Sequence, residues 1–249
     1  HYTTSGAEGD WVTLVNGHTR SIKDFRMMIK AMNSEGFRVL CGDNRGAGLT
    51  KSHRAFSLAD LNGDLFHYYS ALDITKSHLV GLSMGGMIAL HSVLERPDFF
   101  PKLVLISTAS SARFIRSDES EWPKELADIE ARLASYFSTS FRDRNRPLVK
   151  AMAKQMQKDF AMGSAEQHQG ATYQRQAMAG FEVTNRLAEI EIPVLIIHGE
   201  EDDIVPPAAA EELAQKIPGA QLHMFAGAGH LLLAERPKEL YQVIAEFLR

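Results

Sequence analysis

Six short apolar runs punctuate the chain: VTLV at 12–15, FRVLC at 37–41, SHLVGL at 77–82, KLVLIS at 102–107, PVLIIHG at 193–199 and AQLHMF at 220–225. Their apolar character is continuous. A strand with one wet face alternates, so these runs predict strands buried on both faces, as in a parallel sheet covered by helices. Between them, apolar positions recur at helical spacing. IKDFRMMIKAMNSEG at 22–36 ends on a glycine suited to a helix C-terminus. SLADLNGDLFHYYSAL at 57–72 opens on Ser57 with Asp60 three residues later, an N-cap with a reciprocal acid. MGGMIALHSVLE stops before Pro97, and AAAEELAQKI at 208–217 and KELYQVIAEFL at 238–248 complete the helices. Strand and helix alternate, which predicts an α/β fold with a mostly parallel, doubly wound sheet.

Residues 111–188 break the alternation. ELADIEARLASYF, RPLVKAMAKQMQKDFAM and ATYQRQAMAGF all read as helices, with no strand among them. The reading is a helical cap inserted at 111–188 into a core made of 1–110 and 189–249. Met152, Met156, Met162, Tyr173, Met178 and Phe181 are expected mainly to pack the cap onto the core, with a pocket beneath as the alternative role.

Composition narrows the class. The chain has 249 residues, 45% hydrophobic and 23% charged, an ordinary globular balance. A net charge of -4 gives no case for nucleic acid or an anionic membrane as partner. A single cysteine, Cys41, rules out an internal disulfide and a Cys-rich metal site, and its apolar run marks it as core. No stretch has the length of apolar sequence that spans a bilayer. HYTTSGAEGDW lacks the basic and apolar regions of a secretory signal, so a cytoplasmic location is the expectation. The chain starts on His1, which leaves processing and truncation both open.

The candidate chemistry centres on HLVGLSMGGMIAL at 78–90. Ser83 stands in G-x-S-x-G between a predicted strand and a predicted helix. That context suits a nucleophile on a sharp, strained turn, with Gly81 and Gly85 letting the backbones pass and the helix N-terminus favouring negative charge. An N-cap serine is the plainer reading, but it does not account for glycines on both sides. A serine nucleophile needs a base, and the base needs an acid to orient it. PVLIIHGEEDDIVPP supplies Asp202 just past one strand, and AQLHMFAGAGHLLLAERP supplies His230 past the next.

Together, NGHTR, DNRGAGLT, GLSMGG, HGEEDDIVP and GAGHLLLAERP make the chain resemble the α/β-hydrolase superfamily over nearly its whole length. YFSTSFRDRNRPLVKAM and STASSAR are most similar to 3-oxoadipate enol-lactonase-like proteins and small carboxylesterases. The resemblance implies an α/β-hydrolase fold and a catalytic Ser83, Asp202 and His230. The spacing G-x-x-D-x-x-V-P picks Asp202 from Glu200, Glu201, Asp202 and Asp203, with Asp203 the fallback. It also implies an oxyanion hole from the backbone N–H groups of Met84 and His18, the latter in a loop where Asn16 replaces the usual histidine.

The implied activity is hydrolysis of a small-molecule carboxylic ester, with no cofactor and no metal. Lactone hydrolysis, carbon–carbon hydrolysis, acyl transfer and perhydrolysis on the same residues remain alternatives, as does a non-catalytic binding protein. Dehalogenase or epoxide hydrolase chemistry needs Asp where Ser83 stands. The consecutive acids of GEEDD lack calcium-loop spacing, and DNRGAGLT lacks a phosphate-loop pattern, so it reads as a turn fixed by Asp43 and Arg45. Of the other histidines, His67, His78, His91 and His223 read as structural, His198 as a strand-end hydrogen-bonder and His168 as a cap residue. Arg20, Arg113, Arg116, Arg142 and Arg175 are the candidates for binding a substrate carboxylate, Arg20 being nearest the oxyanion loop.

Overall fold

The computed structural model describes residues 1–115, 126–162 and 164–249. Along the chain come β1 (Tyr2–Ser5), β2 (Trp11–Val15), α1 (Arg26–Ser34), β3 (Arg38–Gly42), α2 (Leu58–Ala71), β4 (His78–Leu82), α3 (Met84–Glu95) and β5 (Leu103–Ile106). Then follow α4 (Leu126–Ala134), α5 (Thr139–Arg144), α6 (Arg146–Met162), α7 (Ala165–Met178), β6 (Val194–Gly199), α8 (Pro207–Lys216), β7 (Gln221–Phe225), α9 (Leu232–Glu235) and α10 (Pro237–Leu248). The seven strands form one sheet in the order β1-β3-β2-β4-β5-β6-β7, parallel except for β1.

Period-two alternation inside the apolar runs divides the core. On β5, Leu103 and Leu105 face one side with Leu61, Leu65, Met87 and Leu213 of α2, α3 and α8. Val104 and Ile106 face the other with Met28, Met32, Leu240 and Ile244 of α1 and α10. Two layers of helix therefore cover the sheet, and β4, β5 and β6 are buried along their whole length. Burial on both faces fails for β7, where Gln221 and Leu222 are exposed, because β7 is an edge with β6 as its one strand neighbour. The other edge, β1, is polar (YTTS) and half-exposed, so the apolar pattern does not mark it.

Two helix starts illustrate local control. Ser57 Oγ accepts Asp60 N–H at 3.2 Å while Asp60 Oδ2 accepts Ser57 N–H at 2.8 Å, closing the capping box at α2. The helix read from residue 22 begins as a tight turn over Ile22–Phe25, and regular α-helix starts only at Arg26.

The order of strands creates the crevice. From β2 the chain runs outward to β3, then α2 carries it back to β4 on the other side of β2. The loops leaving the carboxyl ends of β2 and β4 diverge there, which is where open α/β sheets hold ligands. Helices α4 to α7 lie between β5 and β6. Ile129, Leu133, Phe137, Val149 and Ala153 form a small core of their own that also takes in Leu231, from the loop after β7. Phe181, Val183 and Leu187 pack back into the main core. Among the described residues, no helix is long and apolar enough to cross a membrane.

Candidate active site

The turn from β4 into α3 places Ser83 at φ 53° and ψ -119°, a conformation that costs a non-glycine residue about 1–3 kcal/mol. The surroundings hold it there. Ser83 N–H donates to Ile106 O at 2.8 Å, and Thr108 Oγ1 donates to Ser83 O at 2.7 Å. Gly81 and Gly85 are required by close approach. A Cβ on Gly81 would lie 2.4 Å from Gly85 O, and one on Gly85 would lie 2.1 Å from Val15 O. The hydroxyl is thereby lifted to the carboxyl edge of the sheet.

Two loops meet it there. His230, from the loop after β7, places Nε2 3.2 Å from Ser83 Oγ. Its Nδ1 lies 2.8 Å from Oδ2 of Asp202, in the turn after β6. Asp202 and His230 are both buried. Asp203 is exposed, and Glu201 accepts the Thr139 N–H at 2.8 Å, so of the four consecutive acids Asp202 is the one facing the imidazole.

Four donors converge on Asp202. Ile204 and Val205 N–H each donate to Oδ1 at 2.9 Å. His230 Nδ1 and His198 Nε2, the latter 3.2 Å away, address Oδ2. Burial alone would raise the Asp202 pKa. The charge of His230 and hydrogen bonds from His198 and His230 outweigh it and hold the carboxyl well below the ordinary range. An ionised carboxylate only accepts hydrogen bonds, so His230 carries its proton on Nδ1 and turns the Nε2 lone pair to Ser83. His198 is fixed the same way, since its Nε2 also lies 2.8 Å from Val205 O. A hydroxyl beside such a nitrogen can lose its proton as it attacks a carbonyl carbon.

The loop after β2 presses on this turn. A Cβ on Gly17 would lie 3.3 Å from Leu82 O and 3.4 Å from Ser83 Cβ. Asn16 Nδ2 donates to Gly42 O at 3.2 Å, and Asn44 Nδ2 donates to Asn16 O at 2.9 Å. DNRGAGLT is a structural turn: Asp43 accepts the N–H groups of Ile22 and Leu49 at 2.8 and 2.9 Å, and Arg45 forks onto Asp64.

Ser83, Met84, His18 and His230 line a cavity of about 70 Å³. Met156 and Met178 reach it from the helices above, together with Tyr136, whose ring stands edge-on to His230 at 5.6 Å between centroids. Met152 packs within the upper helices, while Tyr173 and Phe181 join the main core. The Met162 side chain and Arg116 lie outside the described residues. Of the arginines, Arg20 lines the cavity, while Arg113 pairs with Glu212 and Arg142 donates to Thr139 Oγ1 at 2.9 Å. Among the described residues, no group of three or more His, Cys, Asp or Glu is placed to hold a metal ion.

Four contributors escape the sequence reading: His198 as a donor to Asp202, Tyr136, Glu235 and Gln174. Glu235 accepts the Gly229 and Ser138 N–H groups at 3.0 and 2.8 Å, tying the His230 loop to α5. Gln174 is buried on α7 against the loop after β2. A lone Tyr, Glu or Gln in helical sequence carries no local signal for such roles.

Residues 8–237 match the family described as Hydrolase_4, serine aminopeptidase, S33. The chain is 29% identical to 3-oxoadipate enol-lactonase 1 of Acinetobacter baylyi, over 89% of this chain and 82% of that protein. It is 27% identical to 2-hydroxy-6-oxononadienedioate/2-hydroxy-6-oxononatrienedioate hydrolase of Burkholderia vietnamiensis, over 100% of this chain and 90% of that protein. The crystal structure of the enol-lactonase from Burkholderia xenovorans LB400 matches with a TM-score of 0.84 at 24% identity, over 100% of this chain and 95% of that one.

Proposed function

Because the chain belongs to the Hydrolase_4 (serine aminopeptidase, S33) family and is an α/β hydrolase, we propose that it cleaves carboxylic esters of small molecules through a covalent acyl-enzyme on Ser83. The observation that carries this reading is the chain of contacts from Ser83 Oγ to His230 Nε2 at 3.2 Å and from His230 Nδ1 to Asp202 Oδ2 at 2.8 Å. His230 takes the Ser83 proton as the oxygen attacks the carbonyl carbon. The N–H groups of Met84 and His18 receive the oxyanion, and the ionised Asp202 stabilises the imidazolium. The imidazolium then protonates the departing alcohol. A water, deprotonated in turn by His230, cleaves the acyl-enzyme and restores Ser83.

Helices α4 to α7, within 111–188, act as a cap that shields this chemistry from bulk water. A cavity of about 70 Å³ holds only a few water-sized groups, which favours short acyl chains. The test is hydrolysis of p-nitrophenyl esters from acetate to decanoate, wild type beside Ser83→Ala. The expected result is an optimum among the shortest esters and a loss of at least about 10³-fold in the variant. Near-full turnover by Ser83→Ala would remove Ser83 from the mechanism.

A second reading, lactones or esters that carry a carboxylate, is favoured by Arg20 at the cavity and by relatives named for 3-oxoadipate and oxononadienedioate substrates. It predicts that a p-nitrophenyl hemiester of a dicarboxylic acid is preferred over the neutral ester of equal length, and that Arg20→Gln erases the preference. An unchanged ratio in Arg20→Gln would reject it.

A further inference from the structure

We propose that Gln174, on α7, is a positioning residue that sets the conformation of the loop carrying the His18 N–H, so that the helices above the site decide whether this donor is aimed at the reacting carbonyl. This rests on the reading of His18 and Met84 as the oxyanion donors.

Gln174 is 0% exposed, and both ends of its amide are used. Its Oε1 accepts the Thr19 N–H at 2.7 Å, and its Nε2 donates to Arg45 O at 2.7 Å. The two short bonds fix the amide's orientation, because a flipped amide would face donor to donor and acceptor to acceptor. Thr19 sits at φ 60°, in the left-handed region where a β-branched residue is strained. Such a conformation persists only where surrounding contacts over-determine it. The Thr19 N–H belongs to the peptide unit that follows His18, so pinning it restricts rotation about the residue whose own N–H serves the oxyanion.

Two neighbours on the same face of α7 reinforce the tie. His18 Nε2 lies 3.0 Å from Ala171 O. At Gly170 the helix touches the DNRGAGLT loop so closely that a Cβ there would lie 2.4 Å from Gly46 O. Positions 170, 171 and 174 fall on one side of a helix, and all three address the two loops beside Ser83. The donor's aim is therefore built from the cap side. Preorganised donors stabilise an oxyanion only if they point where its charge develops.

The test uses the full chain. Gln174→Met keeps the volume and removes both hydrogen bonds. Gln174→Glu keeps an oxygen facing the Thr19 N–H. Each is measured for kcat and KM on p-nitrophenyl acetate, for inhibition by a trifluoromethyl ketone that adds to the serine, and for Tm. Gln174→Met is expected to lower kcat about 10- to 100-fold, the scale of a misaimed group, with KM within about threefold and ketone affinity falling by a matching factor. Gln174→Glu is expected to stay within about fivefold of wild type on kcat and ketone affinity, because burial favours the uncharged carboxyl, which accepts from the Thr19 N–H and donates its O–H to Arg45 O.

Unchanged kcat and ketone affinity in Gln174→Met would overturn the proposal, as would a loss of kcat that leaves ketone affinity unchanged. If Gln174→Met does not fold, Gln174→Leu, which also lacks both hydrogen bonds and adds no charge, is measured in its place and judged by the same criteria. Ser83-dependent hydrolysis that ignores Gln174 refutes this inference alone. Full activity in Ser83→Ala, or a wild type that the ketone does not inhibit, refutes the underlying functional reading instead.

Discussion

Replacing Asp202 by Asn is the sharpest probe of the proposed mechanism, because the structure gives the carboxylate no room for a donor. Its two oxygens receive two backbone N–H groups at 2.9 Å, His230 at 2.8 Å and His198 at 3.2 Å. Asn must turn its NH₂ either toward Ile204 and Val205 or toward the two imidazoles. The backbone donors cannot change, so the amide nitrogen faces the histidines. His230 then relieves the clash by moving its proton to Nε2, which leaves a donor where Ser83 needs an acceptor. A wrong tautomer of this kind costs about 10⁴-fold in kcat, or about 5 kcal/mol of transition-state stabilisation.

The same variant changes acid stability. The folded-state pKa of Asp202 lies below the ordinary carboxylate value of 3.8, so its contribution to folding is fully present above that pH. It is lost as the pH falls further, toward the lowered folded-state pKa. Wild type should lose stability below about pH 4 more steeply than the Asn variant. The assays are kcat on a short p-nitrophenyl ester and acid unfolding followed by circular dichroism. An Asn variant that keeps more than about a tenth of wild-type kcat would refute the tautomer argument.

Two further outcomes follow from packing. Gly85→Ala drives a Cβ to 2.1 Å from Val15 O and 2.7 Å from Asn16 O, backbone atoms with no flexible side chain to yield. It should cost about 3 kcal/mol or more in chemical denaturation, and a loss under about 0.5 kcal/mol would show that the turn at Ser83 relaxes easily. Burial pushes the Cys41 thiol up to about 12, and its side chain is fully enclosed. A thiol-reactive dye should leave the native protein unlabelled at pH 8 and label it on denaturation, whereas rapid native labelling would mean that β3 opens readily.

Much of the fold was legible before any coordinates. Continuous apolar runs mark strands with helices on both faces, and β4, β5 and β6 meet that expectation along their whole length. Glycines two residues either side of Ser83 signal a turn where backbones nearly touch, and Gly81 and Gly85 occupy such contacts. The capping box at Ser57 and Asp60 is local chemistry and needs no tertiary partner. By contrast β1 is polar, so its pairing with β3 depends on an available sheet edge that no window of sequence describes.

The sequence by itself determined which residue types stand at the ends of strands, because motif spacing and strand order are properties of the chain. The tertiary structure alone decided which groups converge from distant segments. Asp202 gains a second imidazole from His198 because a strand end and a turn fold onto one carboxylate. Tyr136 and Met178 face the cavity because of how the upper helices dock, and neither bears a distinguishing neighbour in sequence. Gln174 meets Thr19 across 155 positions of chain. Helical periodicity records which face is buried, but not what that face is buried against.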